Sequence, residues 1–318
     1  MDTHKDLHRL GLPAHLVAEK EVATAATITF TEGPAADAEG NVFFSDITNN
    51  RIMKRAPDGT VSVWRSDSGR ANGNMFDAEG RLVSCEGAEF GPGGRRRITR
   101  TDMRTGEIEI LTDRYEGKRY NSPNDLVIDS LGRIYFTDPR YGDRSDMEMD
   151  VEAVYRLDPD GRVTRLLCQP MVQKPNGITI SPDNRTLYIV DSNPVPGGNR
   201  KIWAFDIGAD GMLSGQRLVY DFAPGRGGDG MRMDVRGNLW IAAGVHRPHR
   251  VGITTDVPTG VYIMTPTGQM LGRIPVPEDP FTNLAFGGPD LKTLYMVAGK
   301  SLFSIRVSVA GHLVYPRL

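Results

Sequence analysis

The chain has 318 residues and a formal net charge of −2, with a pI near 6.3. That balance excludes nucleic acid and acidic membrane surfaces as expected partners, because both call for a clustered basic face. No apolar run approaches the length that spans a bilayer. Residues 1–15 carry Asp2, Lys5, Asp6 and Arg9 and have no apolar core of the signal-peptide kind. Only two cysteines are present, Cys85 and Cys168, which points to a reducing compartment, a cytoplasmic location and no disulfide framework.

In chain order, residues 1–15 read as a polar arm. Its His4, His8 and His15 are spaced 4 and 7 apart, a spacing that tail histidines commonly show without any role. Residues 16–23 alternate enough to be a strand. From Glu32 onward one pattern is written six times. A polar residue opens a short apolar strand, and eight positions later a Gly or Asn marks a tight turn before a second strand. Glu32 precedes Gly40, Asn72 precedes Gly80, Asn124 precedes Gly132, Asn176 precedes Asn184, and Asp229 precedes Gly237. Asn283 precedes Leu291 in a Gly-Gly-Pro-Asp-Leu-Lys turn. The anchors are 40, 52, 52, 53 and 54 residues apart.

A period near 50 built of short strands and turns means a propeller or a solenoid. Each repeat has room for a four-stranded antiparallel blade. The third reads as strands at 126–128, 134–137, 153–157 and 163–167, with Asp158-Pro159-Asp160-Gly161 as a hairpin turn. The expected fold is all-β, a closed six-bladed β-propeller spanning 16–312, with an arm at 1–15 and a tail at 313–318. The last repeat holds only three strands, so a strand from the N-terminal region is expected to complete it and cover an edge. Val307 onward then runs as a surface tail. Arg95-Arg96-Arg97 reads as a solvated edge or loop.

Insertions at 87–94, 141–150, 194–199 and 245–258 all link the second and third strands of their repeats. They therefore gather over the channel mouth where the anchors open the inner strands. The anchors supply two carboxylates and four amides, with no His or Cys. Oxygen-only donors with two negative charges suit a hard divalent cation, above all Ca²⁺, with Mg²⁺ or Mn²⁺ next and Zn²⁺ least. His246 and His249, in the blade 5 insertion, are placed to contact a substrate or relay protons; Arg247 and Arg250 could bind an anionic one.

Glu32-Gly33-Pro34, Asn121-Ser122-Pro123-Asn124-Asp125, Phe136-Thr137-Asp138-Pro139, Lys174-Pro175-Asn176-Gly177 and Gly228-Asp229-Gly230-Met231, in this order, resemble the regucalcin/gluconolactonase (senescence marker protein) family. The resemblance runs from Glu32 to about Gly311. It implies a six-bladed propeller with one divalent cation in its channel, held by Glu32, Asn124, Asn176 and Asp229. It implies lactonase activity on sugar-acid lactones, with Asp229 in catalysis as base or nucleophile. Asn72, Asn121 and Asn283 would contact substrate or water at the metal. Two positions before Asn124, animal regucalcin has an Arg, and this chain has Ser122, as the bacterial gluconolactonase branch does. Ester or organophosphate hydrolysis on the same site, or calcium binding without catalysis, are the alternative readings. No Gly-x-Ser-x-Gly elbow supports a serine hydrolase. The partner expected is a small lactone.

Overall fold

The computed structural model describes residues 10–11, 13, 15–19, 21–88, 94–248 and 253–316. Six four-stranded antiparallel sheets stand around a central channel, the expected propeller. Blade 1 comprises Thr31–Ala36, Val42–Asp46, Arg51–Arg55 and Val61–Ser66; blade 2, Ala71–Phe76, Leu82–Glu86, Arg97–Thr101 and Ile108–Thr112. Blade 3 comprises Leu126–Ile128, Ile134–Asp138, Ala153–Leu157 and Val163–Cys168; blade 4, Pro175–Ile180, Thr186–Ser192, Arg200–Ile207 and Leu213–Asp221. Blade 5 comprises Gly228–Met233, Leu239–Ala243, Gly260–Met264 and Met270–Pro275. Blade 6 comprises Phe281–Gly287, Thr293–Ala298 and Ser301–Arg306, completed by Ala23–Thr27. Among the described residues no helix is long and apolar enough to cross a membrane.

The turn after each inner strand is where the repeat signal came from. Gly40, Gly80, Gly132, Asn184, Gly237 and Leu291 all have φ between 53° and 84°, the left-handed region that Gly and Asn accept most readily. Asp37, Asp77, Asp129 and Asp234 lock four of these turns. Each carboxylate accepts the backbone N–H four residues on, at 2.8, 2.9, 3.0 and 2.9 Å. Inner strands are buried along their length, whereas the outer strand of blade 1 is largely exposed. Large apolar side chains fill the wedges between blades, as where Trp240 of blade 5 meets Phe286 of blade 6 edge-on with centroids 5.2 Å apart.

Ring closure is as expected in kind but not in place. The closing strand is Ala23–Thr27, antiparallel to Ser301–Ser304 with a bulge between Thr24 and Ala26, not residues 16–23. Residues Leu16 and Val17 are in a turn, their N–H groups donating to Pro13 O at 2.7 and 3.0 Å. That turn buries both side chains against blade 6 and delays the strand. His15 is exposed; His4 and His8 lie outside the described residues.

The C-terminal segment is not a surface tail. Val307, Val309 and Ala310 are buried. Val235 N–H donates to Ala310 O at 3.0 Å and His312 N–H to Met233 O at 2.8 Å. Tyr315 then packs on Phe76 of blade 2, centroids 5.7 Å apart. The segment thus runs from blade 6 past blade 5 to blade 2 across the channel end remote from the anchors. The arginine run is likewise no solvated edge. Arg96 is fully buried and donates to Asp146 O at 2.9 Å, and Arg97 pairs with Glu86 at 2.7 Å. Both cysteines are free, Cys85 buried and Cys168 half-buried.

Without Ala23–Thr27, Ser301–Arg306 would become a bare edge strand. Deletion of residues 1–27 is expected to give aggregation or a large loss of thermal stability, read by gel filtration and calorimetry. A monomeric truncated protein melting like the parent would show that the ring does not need this strand.

Candidate active site and metal centre

The anchors converge because adjacent inner strands come very close. A Cβ on Gly33 would lie 2.0 Å from Asn72 O, one on Gly73 2.6 Å from Asn124 O, and one on Gly177 2.1 Å from Asp229 O. On Gly230 it would lie 2.2 Å from the Asn283 side chain. The residue after an anchor is therefore Gly wherever it faces the next blade's anchor at that range. Hydroxyls stitch the blades further: Ser45 Oγ donates to Asn72 O and Thr137 Oγ1 to Asn176 O, both at 2.7 Å.

Carboxylates at the ends of second strands aim the anchors. Asp138 accepts Asn121 N–H at 2.8 Å and Ser122 N–H at 2.7 Å. Asp191 accepts Gln173 N–H at 3.0 Å and Lys174 N–H at 2.8 Å. In both blades the bonded amides sit three and two residues before the anchor Asn. Burial pushes Asp138 up to about 7, against these two N–H bonds, which hold it down.

The cavity these anchors line has a volume of about 370 Å³. Glu32, Asn72, Asn124, Asn176 and Asp229 all face it. So do residues of the expected mouth loops: Tyr141 and Gly142, Pro194, and Ile253. Residues 89–93 and 249–252, and with them His249 and Arg250, lie outside the described residues. Three other expected site residues sit away from the wall. Asn121 spends its amide N–H groups on Val151 O at 2.9 Å and Asp138 O at 3.2 Å, which fixes the approach to Asn124. Asn283 bridges Glu32 Oε2 at 3.3 Å and Asp125 Oδ2 at 3.4 Å. The His246 ring donates from Nε2 to Val276 O at 2.8 Å, and Asp279 accepts its backbone N–H at 2.7 Å.

Sequence reasoning missed five participants. Arg226 pairs with Asp229 Oδ2 and donates to Phe281 O at 2.9 Å. Arg200 also lines the cavity. Tyr141 Oη accepts the Asn176 amide N–H at 2.9 Å, leaving the Asn176 Oδ1 for a ligand. Asp125 and Arg232 form a buried ion pair at 3.1 Å. Arg226 and Arg232 stand three residues before and after Asp229, and Asp125 follows Asn124, positions that could have flagged them; Arg200 and Tyr141 lie far in sequence from any anchor they meet.

Burial raises Asp229 above the ordinary carboxylate range. The Arg226 charge and an Asn176 hydrogen bond oppose the shift, and the Asp125 charge adds to it. The donor set fits a hard cation. Among the described residues no three His, Cys, Asp or Glu side chains gather as a metal cluster; the ring offers two carboxylates and neutral amides instead. One of those amides, Asn72, has its Oδ1 buried without a hydrogen-bond partner, an acceptor that a cation or ordered water would satisfy.

Two substitutions test the architecture. Gly177→Ala forces a Cβ into Asp229 O and is expected to cost at least about 1–3 kcal/mol, read by urea unfolding. Asp138→Asn cannot accept both N–H groups and should cost about 1–3 kcal/mol through an unsatisfied donor. At pH 8, where Asp138 is ionised, parental stability in that variant would show that the two N–H bonds contribute nothing.

The sequence profile described as the SMP-30/gluconolactonase/LRE-like region matches residues 30–300. A gluconolactonase of Zymomonas mobilis is 33% identical over 309 residues, covering 90% of this chain and 81% of that one. A pentonolactonase of Haloferax volcanii is 29% identical, covering 83% and 80%. The solved structure of a gluconolactonase from Xanthomonas campestris superposes with a TM-score of 0.78 at 34% identity, covering 92% of each chain. With the profile spanning nearly all of the propeller and the anchors meeting in one cavity, the chain belongs to the SMP-30/gluconolactonase family.

Proposed function

We propose that the protein is a hydrolase that opens sugar-acid lactones with the help of one divalent cation, Ca²⁺ before Mg²⁺, Mn²⁺ or Zn²⁺. The observation that carries this is the convergence of Glu32, Asn72, Asn124, Asn176 and Asp229 on one cavity, in a chain similar over 90% and 83% of its length to a gluconolactonase and a pentonolactonase. Glu32, Asn124, Asn176 and Asp229 would hold the cation. When bound, it supplies a Lewis acid for the developing negative charge on the lactone carbonyl oxygen.

The protein's own groups do the rest. Asp229 takes a proton from water as that water attacks the carbonyl carbon. The ring C–O bond breaks, and the departing oxygen takes the proton back, giving the open hydroxy acid. Burial of Asp229 raises its basicity toward what a neutral-pH base needs. Arg226 holds the Oδ2 of Asp229 and so restricts its rotation. Tyr141 fixes the Asn176 amide. Asn72, with a free acceptor, is placed to orient a substrate hydroxyl. Asn121, Asn283 and His246 serve as supports for these groups.

Two experiments test this reading. Chelation followed by dialysis should abolish lactone opening, measured by proton release from an aldonolactone panel, and one added divalent cation should restore it. Undiminished turnover in the stripped protein would overturn the metal requirement. Under metal saturation confirmed by direct binding, Asp229→Asn should lower kcat by about 10²–10⁴, whereas Asn124→Ala should recover most of it. Near-parental kcat in Asp229→Asn would reduce Asp229 to a ligand.

A further inference from the structure

We propose that the cavity takes a lactone bearing a second, anionic oxyacid group, and that Arg200 binds that group. This rests on the lactone reading above and narrows it. Arg200 opens the third strand of blade 4 and lines the cavity, yet it is only 4% exposed. Its N–H groups go to neutral acceptors of its own loop. Nη1 donates to Gly198 O and Asn199 O at 3.2 Å, and Nη2 to Val195 O at 3.3 Å. All three bonds are long, and Arg200 forms no ion pair among the described residues, Asp221 acting on it only at longer range.

That sets it apart from its neighbours. The buried Arg96, Arg140, Lys174 and Arg232 and the half-buried Arg226, around the channel and its loops, each have an acid within 3.6 Å; Arg273, buried in the outer strand of blade 5 and away from the cavity, bonds only Thr259 O at 2.9 Å among the described residues. A buried guanidinium without a counter-charge is costly unless something supplies one. A ligand in the cavity can. An oxyacid group matches the planar fork of Arg through paired hydrogen bonds.

The charge balance of the wall points the same way. Glu32 and Asp229 are offset by Arg226 and Arg200, so the wall is neutral before any cation binds. A divalent cation would leave two positive charges in excess. A neutral lactone offsets none of that, and an anionic one offsets part and is steered in by it. Arg200 is also fixed close to the reacting end. A Cβ on Gly227, two residues from Asp229, would lie 3.1–3.3 Å from Arg200 Cα, Cβ and Cδ. Arg200 thus packs against the chain leading to Asp229, and one sugar-sized molecule can reach both.

The test compares D-glucono-1,4-lactone with D-glucaro-1,4-lactone, which share a ring and differ by a hydroxymethyl against a carboxylate, at constant ionic strength. A phosphorylated gluconolactone forms the third arm and separates carboxylate from phosphate recognition. The parent protein is expected to favour an anionic lactone about tenfold or more in kcat/KM. That ratio should fall toward one in Arg200→Gln and stay intermediate in Arg200→Lys, a variant that keeps the charge if the first fails to fold. A parental ratio at or below one overturns the assignment, as does a ratio unchanged in Arg200→Gln. Calorimetric titration with D-glucarate and D-gluconate, with and without divalent cation, reads the same residue without turnover. Tighter glucarate binding that disappears in Arg200→Gln supports the proposal, and equal binding of the two acids overturns it. If no lactone is opened under any cation, the lactonase reading falls, and the titration alone decides whether Arg200 is an anion site.

Discussion

Everything at this site depends on how closely six inner strands can approach one another. Around a narrow channel the backbones touch, and no side chain fits between Gly33 and Asn72 O or between Gly177 and Asp229 O. That constraint writes Gly after four of the six anchors. It also forces each anchor side chain toward the cavity or along the channel, because the neighbouring blade occupies the other directions. The convergence of carboxylates and amides is therefore a product of packing before it is a product of chemistry. The two blades that lack Gly at that position use the extra side chain. Leu284 fills core between blades, and Asp125 enters the channel to pair with Arg232.

What could be read in the sequence is what repeats. The turn residues Gly40 through Leu291 and the anchors eight positions before them recur because every blade solves the same geometric problem. Blade count, strand order and five cavity-lining residues follow from that recurrence. What could not be read is what happens once. Arg200 looks like an ordinary surface arginine in the chain, and only the folded ring brings it to the cavity wall. Arg96 in its run of three looks solvated, yet Asp146 and Glu148, about fifty residues on, draw it inside. The closing strand was displaced because the Pro13 turn that precedes it has no counterpart in the other blades. Asn121, Asn283 and His246 lie beside the cavity rather than on its wall. Each donates side-chain N–H groups to protein acceptors, which spacing alone does not reveal.

A layered polarity explains how a channel full of buried charge stays stable. In the deeper layer Asp125 and Arg232 neutralise each other, and Asp125 also accepts the N–H of Leu126 at 2.9 Å. Asn283 joins this layer to Glu32 above it. Buried pairs of this kind stabilise little in themselves, but breaking one leaves an uncompensated charge. Their effect is to hold the upper layer in place. Below, the C-terminal segment packs across the remote end through Tyr315 and Phe76.

The loops over that mouth are tied down by charge too, which bears on what the site can select. Lys174 bonds Glu152 at 2.6 Å and Arg140 O at 2.8 Å, and it lies 5.0 Å from the Tyr141 ring centroid. Arg140 donates to Asn121 O at 2.7 Å and to Asp146 at 2.5 Å. Through these bonds the 141–150 loop, the approach to Asn124 and the approach to Asn176 form one connected body. Tyr141 is therefore held where it touches Asn176, and the cavity wall on that side has few soft degrees of freedom. Selectivity in such a pocket must come from fixed charges and hydrogen-bond directions rather than from loops reshaping around each substrate. The ion pairs of 140–152 restrain that side of the mouth, so any adaptation to different substrates would have to come from its other loops.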